Sequence, residues 1–179
     1  MGWFFRGHAG PSYANVSLEN ALHTGEVHGW GAGLGLSAGV WLGQRCVLSG
    51  EVFSATHLGV AVVGDALGPP AGSATATLFA AGAGITYVVG DEQPGDAVSI
   101  SAALMLSKLR VVEQPSALLI TGGNLTPTLQ LGLAREWPLA PGWGMGAAVR
   151  VTFAGGGDDV LGLDYSTTAT TFSLSISYD

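Results

Sequence analysis

Charge is what this sequence has least of. Asp, Glu, Lys and Arg together make up 11% of its 179 residues, against roughly 25% in ordinary soluble domains. A water-soluble globule of this size needs more charge to cover its surface, so something other than water is expected to solvate part of it. Cations are scarcer still: six Lys plus Arg stand against thirteen Asp plus Glu, a formal charge of −7. There is no basic run, which excludes nucleic acid as a partner, because phosphate affinity needs clustered cations that release counterions. A polybasic helix lying on a membrane surface is excluded on the same ground. Cysteine is limited to Cys46, which leaves no internal disulfide and no Cys-rich zinc or redox centre. That thiol reads as a small hydrophobe. The start of the chain, Met1-Gly2-Trp3, lacks a basic segment followed by an apolar one. An exported protein would need such a leader, and one is expected to have been removed. The length suits a single domain over residues 1–179.

What the chain does have is glycine, 29 residues of it, and strict alternation. In Phe172-Ser173-Leu174-Ser175-Ile176-Ser177-Tyr178, large apolar residues alternate with serine. Period two marks a strand with two different faces. Trp143 to Phe153 repeats it, with Trp143, Met145, Ala147, Val149, Val151 and Phe153 opposite Gly144, Gly146, Ala148, Arg150 and Thr152. From Trp30 to Leu42 the even positions are apolar and the odd positions 31–39 hold four glycines and a serine. A helix would lose up to about 1 kcal/mol at each glycine and gain no face from them. Residues 66–90 and 114–134 are uncharged and long enough to span a bilayer as helices, but Pro69-Pro70, Pro115 and Pro127 interrupt them.

The same test predicts eight strands, near residues 3–17, 29–42, 46–57, 75–89, 97–111, 124–137, 143–154 and 167–178. All of them supply the roughly 9–11 residues a tilted membrane-crossing strand needs. Connections alternate between short turns (Gly43–Arg45, Gly90–Gly95, Pro138–Gly142) and longer segments near 18–28, 58–74, 112–123 and 155–166. Short turns on one rim and long loops on the other describe an all-β, antiparallel, up-and-down transmembrane barrel with both termini on the periplasmic side. Its apolar face would meet lipid and its inner face would be Gly, Ser, Ala and Thr with isolated charges. In that phase Arg6, His8, Glu51, Gln130, Glu136 and Arg150 point inward, and buried charge must pair, so a Glu–Arg network is expected across the lumen. Aromatic residues near strand ends, Trp3, Trp30, Tyr87, Trp137, Trp143, Phe153 and Tyr178, suit the girdles at the two headgroup levels. Phe4, Phe5 and Trp41 lie nearby, with Phe4 and Trp41 equally readable as core.

Over its whole length the chain resembles the small eight-stranded outer-membrane barrels of the outer-membrane protein A and X type, and bacterial families known only as outer-membrane β-barrel domains. The resemblance is carried by Glu136-Trp137-Pro138 followed by Trp143-Gly144-Met145-Gly146, and by the alternation ending in Tyr178. It implies a bacterial outer-membrane location, contact with lipid and lipopolysaccharide, and delivery by the barrel-assembly machinery. That machinery recognises a terminal aromatic residue, and here Asp179 follows Tyr178.

No motif points to catalysis or a cofactor. His23 and His28, with Glu19 and Glu26 nearby, read as solvated loop residues rather than a zinc site. Gly155-Gly-Gly-Asp158-Asp159 through Asp164 is one copy of a glycine–aspartate stretch and reads as an acidic loop, not a calcium cage. Ser54 and His57 lie three apart, with no nucleophile elbow and no orienting acid. The apolar runs Leu58–Val63, Leu118–Ile120 and Val160–Leu163 stand where water is expected; they read as strands continuing past the bilayer, or as a surface for a partner. The expected role is structural or surface interaction by a barrel with a filled lumen, no metal and no cofactor. The alternatives are a narrow pore or transporter, and a soluble lipocalin-like barrel with reversed facing.

Overall fold

A computed structural model describes residues 2–19, 24–64, 73–89, 97–114, 119–121, 124–158 and 163–178. Nine strands follow in chain order: β1 Trp3–Glu19, β2 Thr24–Trp41, β3 Cys46–Gly64, β4 Ser73–Val89, β5 Ala97–Gln114, β6 Leu119–Thr121, β7 Thr126–Ala140, β8 Trp143–Asp158 and β9 Leu163–Tyr178. β6 is three residues long and pairs only with the end of β5. The other eight pair antiparallel in the ring β1-β2-β3-β4-β5-β7-β8-β9, and β9 returns to β1. The chain folds as a closed eight-stranded antiparallel barrel. Among the described residues no helix is long and apolar enough to cross a membrane.

The register fixes the tilt. Following paired residues round the ring from Phe5 passes through Ala38, Gly50, Ala83, Leu104, Leu129, Phe153 and Thr168 and returns to β1 at Asn15, ten residues on. With ~3.3 Å of rise per residue and ~4.8 Å between strands, that offset over eight strands tilts them by about 40°. Each residue then climbs about 2.5 Å along the barrel axis.

Side-chain facing follows the alternation. Leu34, Leu36, Leu104, Leu133, Leu174 and Ile176 point outward, with Leu104 73% and Leu174 71% exposed. Their strand neighbours Gly35, Ser37, Ala103, Ala134, Ser173, Ser175 and Ser177 are buried. A soluble ligand-binding barrel would reverse this facing. Here the apolar belt surrounds the molecule and the small residues line its interior. Allowing for the tilt, the exposed rings of Trp3, Tyr87, Trp143 and Tyr178, with the half-buried Trp137, stand at one level. Tyr13, Trp30, Phe79 and Phe153 stand at a second level about ten residues, or roughly 25 Å, higher. Within each level rings touch: Trp143 and Tyr178 are 5.1 Å apart, Tyr13 and Trp30 5.3 Å.

The strands overshoot the belt at one end only. The lower end closes through Leu42–Arg45 and through Pro141–Gly142, with Gly43 and Gly142 at φ 83° and 74°. At those φ values a side chain other than glycine's is strained, which is why glycine makes these reversals. Above the belt the strands run on, so most of the segments read as loops at 18–28, 58–74, 112–123 and 155–166 are strand: β2 begins at Thr24, β3 ends at Gly64, β5 at Gln114, and β9 begins at Leu163. The turn expected from Pro138 also shortens, because Pro138 to Ala140 belong to β7. The expected turn at Gly90–Gly95, His23, Asp159 and the run Val160–Gly162 lie outside the described residues.

In the overshoot the facing inverts. On β5, Val98, Ile100, Leu104 and Leu106 face out while Ser99 and Ser107 face in; two residues later Lys108 and Arg110 face out while Leu109 and Val111 are buried. On β1, Asn15, Ser17 and Glu19 face out and Ala14 and Val16 in. On β1 and β5 the lower part of the strand is built for lipid outside and the upper part for water outside.

Candidate functional site in the barrel lumen

Read upward, the inward residues of β1 name the layers of the lumen: Phe4, Arg6, His8, Ser12, Ala14, Val16. Phe4 packs edge-on against Trp41 at 6.3 Å and forms the floor. Both point inward and belong to the core rather than to a girdle. The Arg6 guanidinium lies 4.9 Å from the Phe4 ring centroid and makes an ion pair with Glu136.

The charged layer follows. Arg150 Nη1 lies 2.6 and 2.7 Å from the two ring nitrogens of His8, of which the one without a proton accepts. His8 stacks on Phe53 with centroids 6.4 Å apart. Glu51 accepts from Ser49 Oγ at 3.1 Å, and both Glu51 and Glu136 act electrostatically on Arg150. Gln130 donates to Thr152 at 3.0 Å. All six sequence-marked lumen residues thus face inward, as one ion pair, one Arg–His contact and two hydroxyl-linked side chains. Inner-face glycines make their space: a Cβ at Gly35 would enter the His8 ring, one at Gly84 would meet the Glu51 carboxylate, and one at Gly146 the Glu136 stem.

Above this lies a hydroxyl layer that the sequence did not mark. His57 Nε2 is 3.1 Å from Ser12 Oγ, and Thr171 donates to Ser12 at 3.0 Å, with all three side chains buried. Beside it, Thr128 donates to Ser107 at 2.5 Å, and Thr126 meets Tyr165 Oη at 2.8 Å. Ser54 is not His57's partner, since residues three apart on a strand face opposite sides. Ser12 and Thr171 become neighbours of His57 only when the ring closes across β9, β1, β2 and β3, so no local pattern reveals them. The outer end is capped by an apolar cluster that includes Val16, Val27, Ala76, Leu78, Leu109 and Val111. Among the described residues no group of three or more His, Cys, Asp or Glu converges on a metal-sized site.

A closed ring of eight tilted antiparallel strands, apolar outside and polar within, is the fold of the small bacterial outer-membrane barrels. No protein-family model matches the chain, and no curated protein sequence does. Solved structures do. Neisserial surface protein A is similar over 99% of each chain, at 14% identity and a TM-score of 0.63. The outer membrane protein OprG from Pseudomonas aeruginosa is similar over 98% of this chain and 95% of its own, at 12% identity and 0.54. The outer membrane protease OmpT from Escherichia coli is similar over 98% and 96%, at 8% identity and 0.53. Likeness at such identities establishes the fold, and one fold hosts several functions.

Proposed function

We propose that this protein is a plugged outer-membrane barrel whose role is structural or surface interaction, exerted through the water-facing collar of strands and loops above the belt. The observation that carries the reading is the stacking of the lumen. An aromatic floor, a charged layer, a hydroxyl layer and an apolar cap succeed one another along β1. An eight-stranded barrel has an interior just wide enough for side chains to fill, and here four different chemistries occupy it in series. Lipid and lipopolysaccharide are its partners along the belt, the barrel-assembly machinery during biogenesis, and any surface partner at the collar. Planar-bilayer recording tests this: the plugged barrel gives no reproducible open steps, and steps abolished by Arg150→Ala would contradict it.

The narrow-pore reading keeps one specific support. Arg6 Nε, Ser173 Oγ and Ser175 Oγ are buried in the charged layer without a protein hydrogen-bond partner. Such atoms favour a solvated seam through that layer. Conductance with ion selectivity that changes on Glu51→Gln is the outcome that reading predicts.

A further inference from the structure

The six cations of the chain are unevenly placed. Arg6 and Arg150 are buried in the lumen, Arg45 lies in the lower turn, and Arg135 faces out at the lower level, 5.7 Å from the Trp137 ring. The remaining two, Lys108 and Arg110, face out together on β5 where the belt gives way to the collar. The outward-facing neighbours described on β4, on β7 and just before it, namely Thr75, Thr77, Phe79, Leu125 and Pro127, include no acid. Thr77 is the cross-strand partner of Arg110, and its hydroxyl is 3.3 Å from that of Thr56. Among the described side chains, the exposed carboxylates of the collar, Glu19, Glu26 and Asp164, stand on β1, β2 and β9, four strands away round the ring at β1. Beginning four residues below Lys108, past Leu106, the same face of β5 enters an outward groove of about 330 Å³ lined by Leu48, Ala83, Ile85, Ala102, Leu104 and Leu129. Small residues hollow it and large ones wall it. Lys108 lies six residues above Ala102, roughly 15 Å along the axis.

We propose that this strip of β5 is a binding site for a phosphorylated acyl lipid of the outer leaflet: Lys108 and Arg110 hold the phosphate, flanked by the Thr77 and Thr56 hydroxyls, and one acyl chain lies in the groove beneath. The inference rests on reading the barrel as an outer-membrane one. Its chemistry is charge-assisted hydrogen bonding to phosphate at the headgroup level, with the acidic side of the collar turning the same ligand away. The height matches because the upper aromatic level marks the hydrocarbon boundary.

The test uses the purified folded barrel in detergent, titrated with hexa-acylated bisphosphoryl lipid A, its dephosphorylated form and phosphatidylcholine, with bound lipid counted by native mass spectrometry. The wild type is expected to retain the bisphosphoryl form about tenfold or more over the other two, since each surface cation contributes attraction to anionic lipid. Lys108→Gln with Arg110→Gln removes that preference. Ala102→Phe, filling the groove, weakens retention several-fold with both cations in place, and Arg135→Gln leaves it unchanged. Retention unaffected by the double substitution or by Ala102→Phe overturns the proposal, as does an equal loss on Arg135→Gln, which marks diffuse charge as the cause. Heat-modifiable gel mobility is read on the same samples. Its loss in the wild type would overturn the membrane-barrel reading itself, whereas its retention confines any failure to the site.

Discussion

A guanidinium sealed inside a protein keeps its charge, so its donors must find acceptors. Arg6 finds Glu136, and Arg150 finds His8. Because Glu136 is 21% exposed, its pair is softened by water but not screened away. Glu136→Ala is expected to destabilise the barrel by about 3 kcal/mol, the low end for breaking a buried pair, measured by reversible urea unfolding in vesicles. Arg6→Met combined with Glu136→Leu recovers most of that loss. If the single and double substitutions cost the same, the pair is not what stabilises the layer. Glycine gives a second contrast at this scale. Gly35→Ala drives a Cβ into the His8 ring, whereas Gly7→Ala meets only the Leu36 methyl at 3.5 Å. The first is expected to cost about 1–3 kcal/mol by overpacking, and the second to be close to neutral, in the same unfolding assay.

β1, β5 and β9 are each two half-strands, apolar outside below and polar outside above, joined where lipid gives way to water. Leu174 is near the middle of the belt and 71% exposed, while Thr168 faces out at the upper aromatic level of the same strand, beside Phe153. Leu174→Arg is therefore expected to cost about 2–4 kcal/mol and Thr168→Arg less than about 1 kcal/mol. Similar costs at both sites, measured by folding into vesicles, would contradict the placement of the belt. This inversion also explains what the sequence did not disclose. Strict alternation from Trp30 to Leu42 and from Phe172 to Tyr178 identifies strands and their faces, because one side is large and the other small. The overshoot of β3, Leu58-Gly-Val-Ala-Val-Val-Gly64, does not alternate, and that of β8 is Gly155-Gly-Gly157 with no side chains to read. Their strand state comes from pairing with neighbours, His28 with Ala61 or Gly157 with Asp164. Pairing is a property of the sheet and not of the segment. The lumen charges were legible for the same reason as the faces: Arg150 interrupts a run of small inward residues on β8, and Glu51 falls on the inward phase of β3. The His57–Ser12–Thr171 cluster was not, since its members lie on three strands brought together by the closure.

For the whole molecule, closure with a ten-residue offset sets the tilt, and the tilt makes the two aromatic levels line up about 25 Å apart. The central claim is that this closed barrel spans a membrane with its apolar half and stands clear of it with the collar. A spin-label scan along β5, from residue 98 to residue 111 in a Cys46→Ser background reconstituted in phospholipid vesicles, tests it most directly. Labels at 98, 100, 102, 104 and 106 should be accessible to oxygen and shielded from a water-soluble nickel chelate. Those at 108 and 110 should reverse that preference, and those at 99, 103, 105, 107, 109 and 111 should be shielded from both. Nickel access at 100, 102 and 104, or oxygen-only access continuing through 110, would contradict the account.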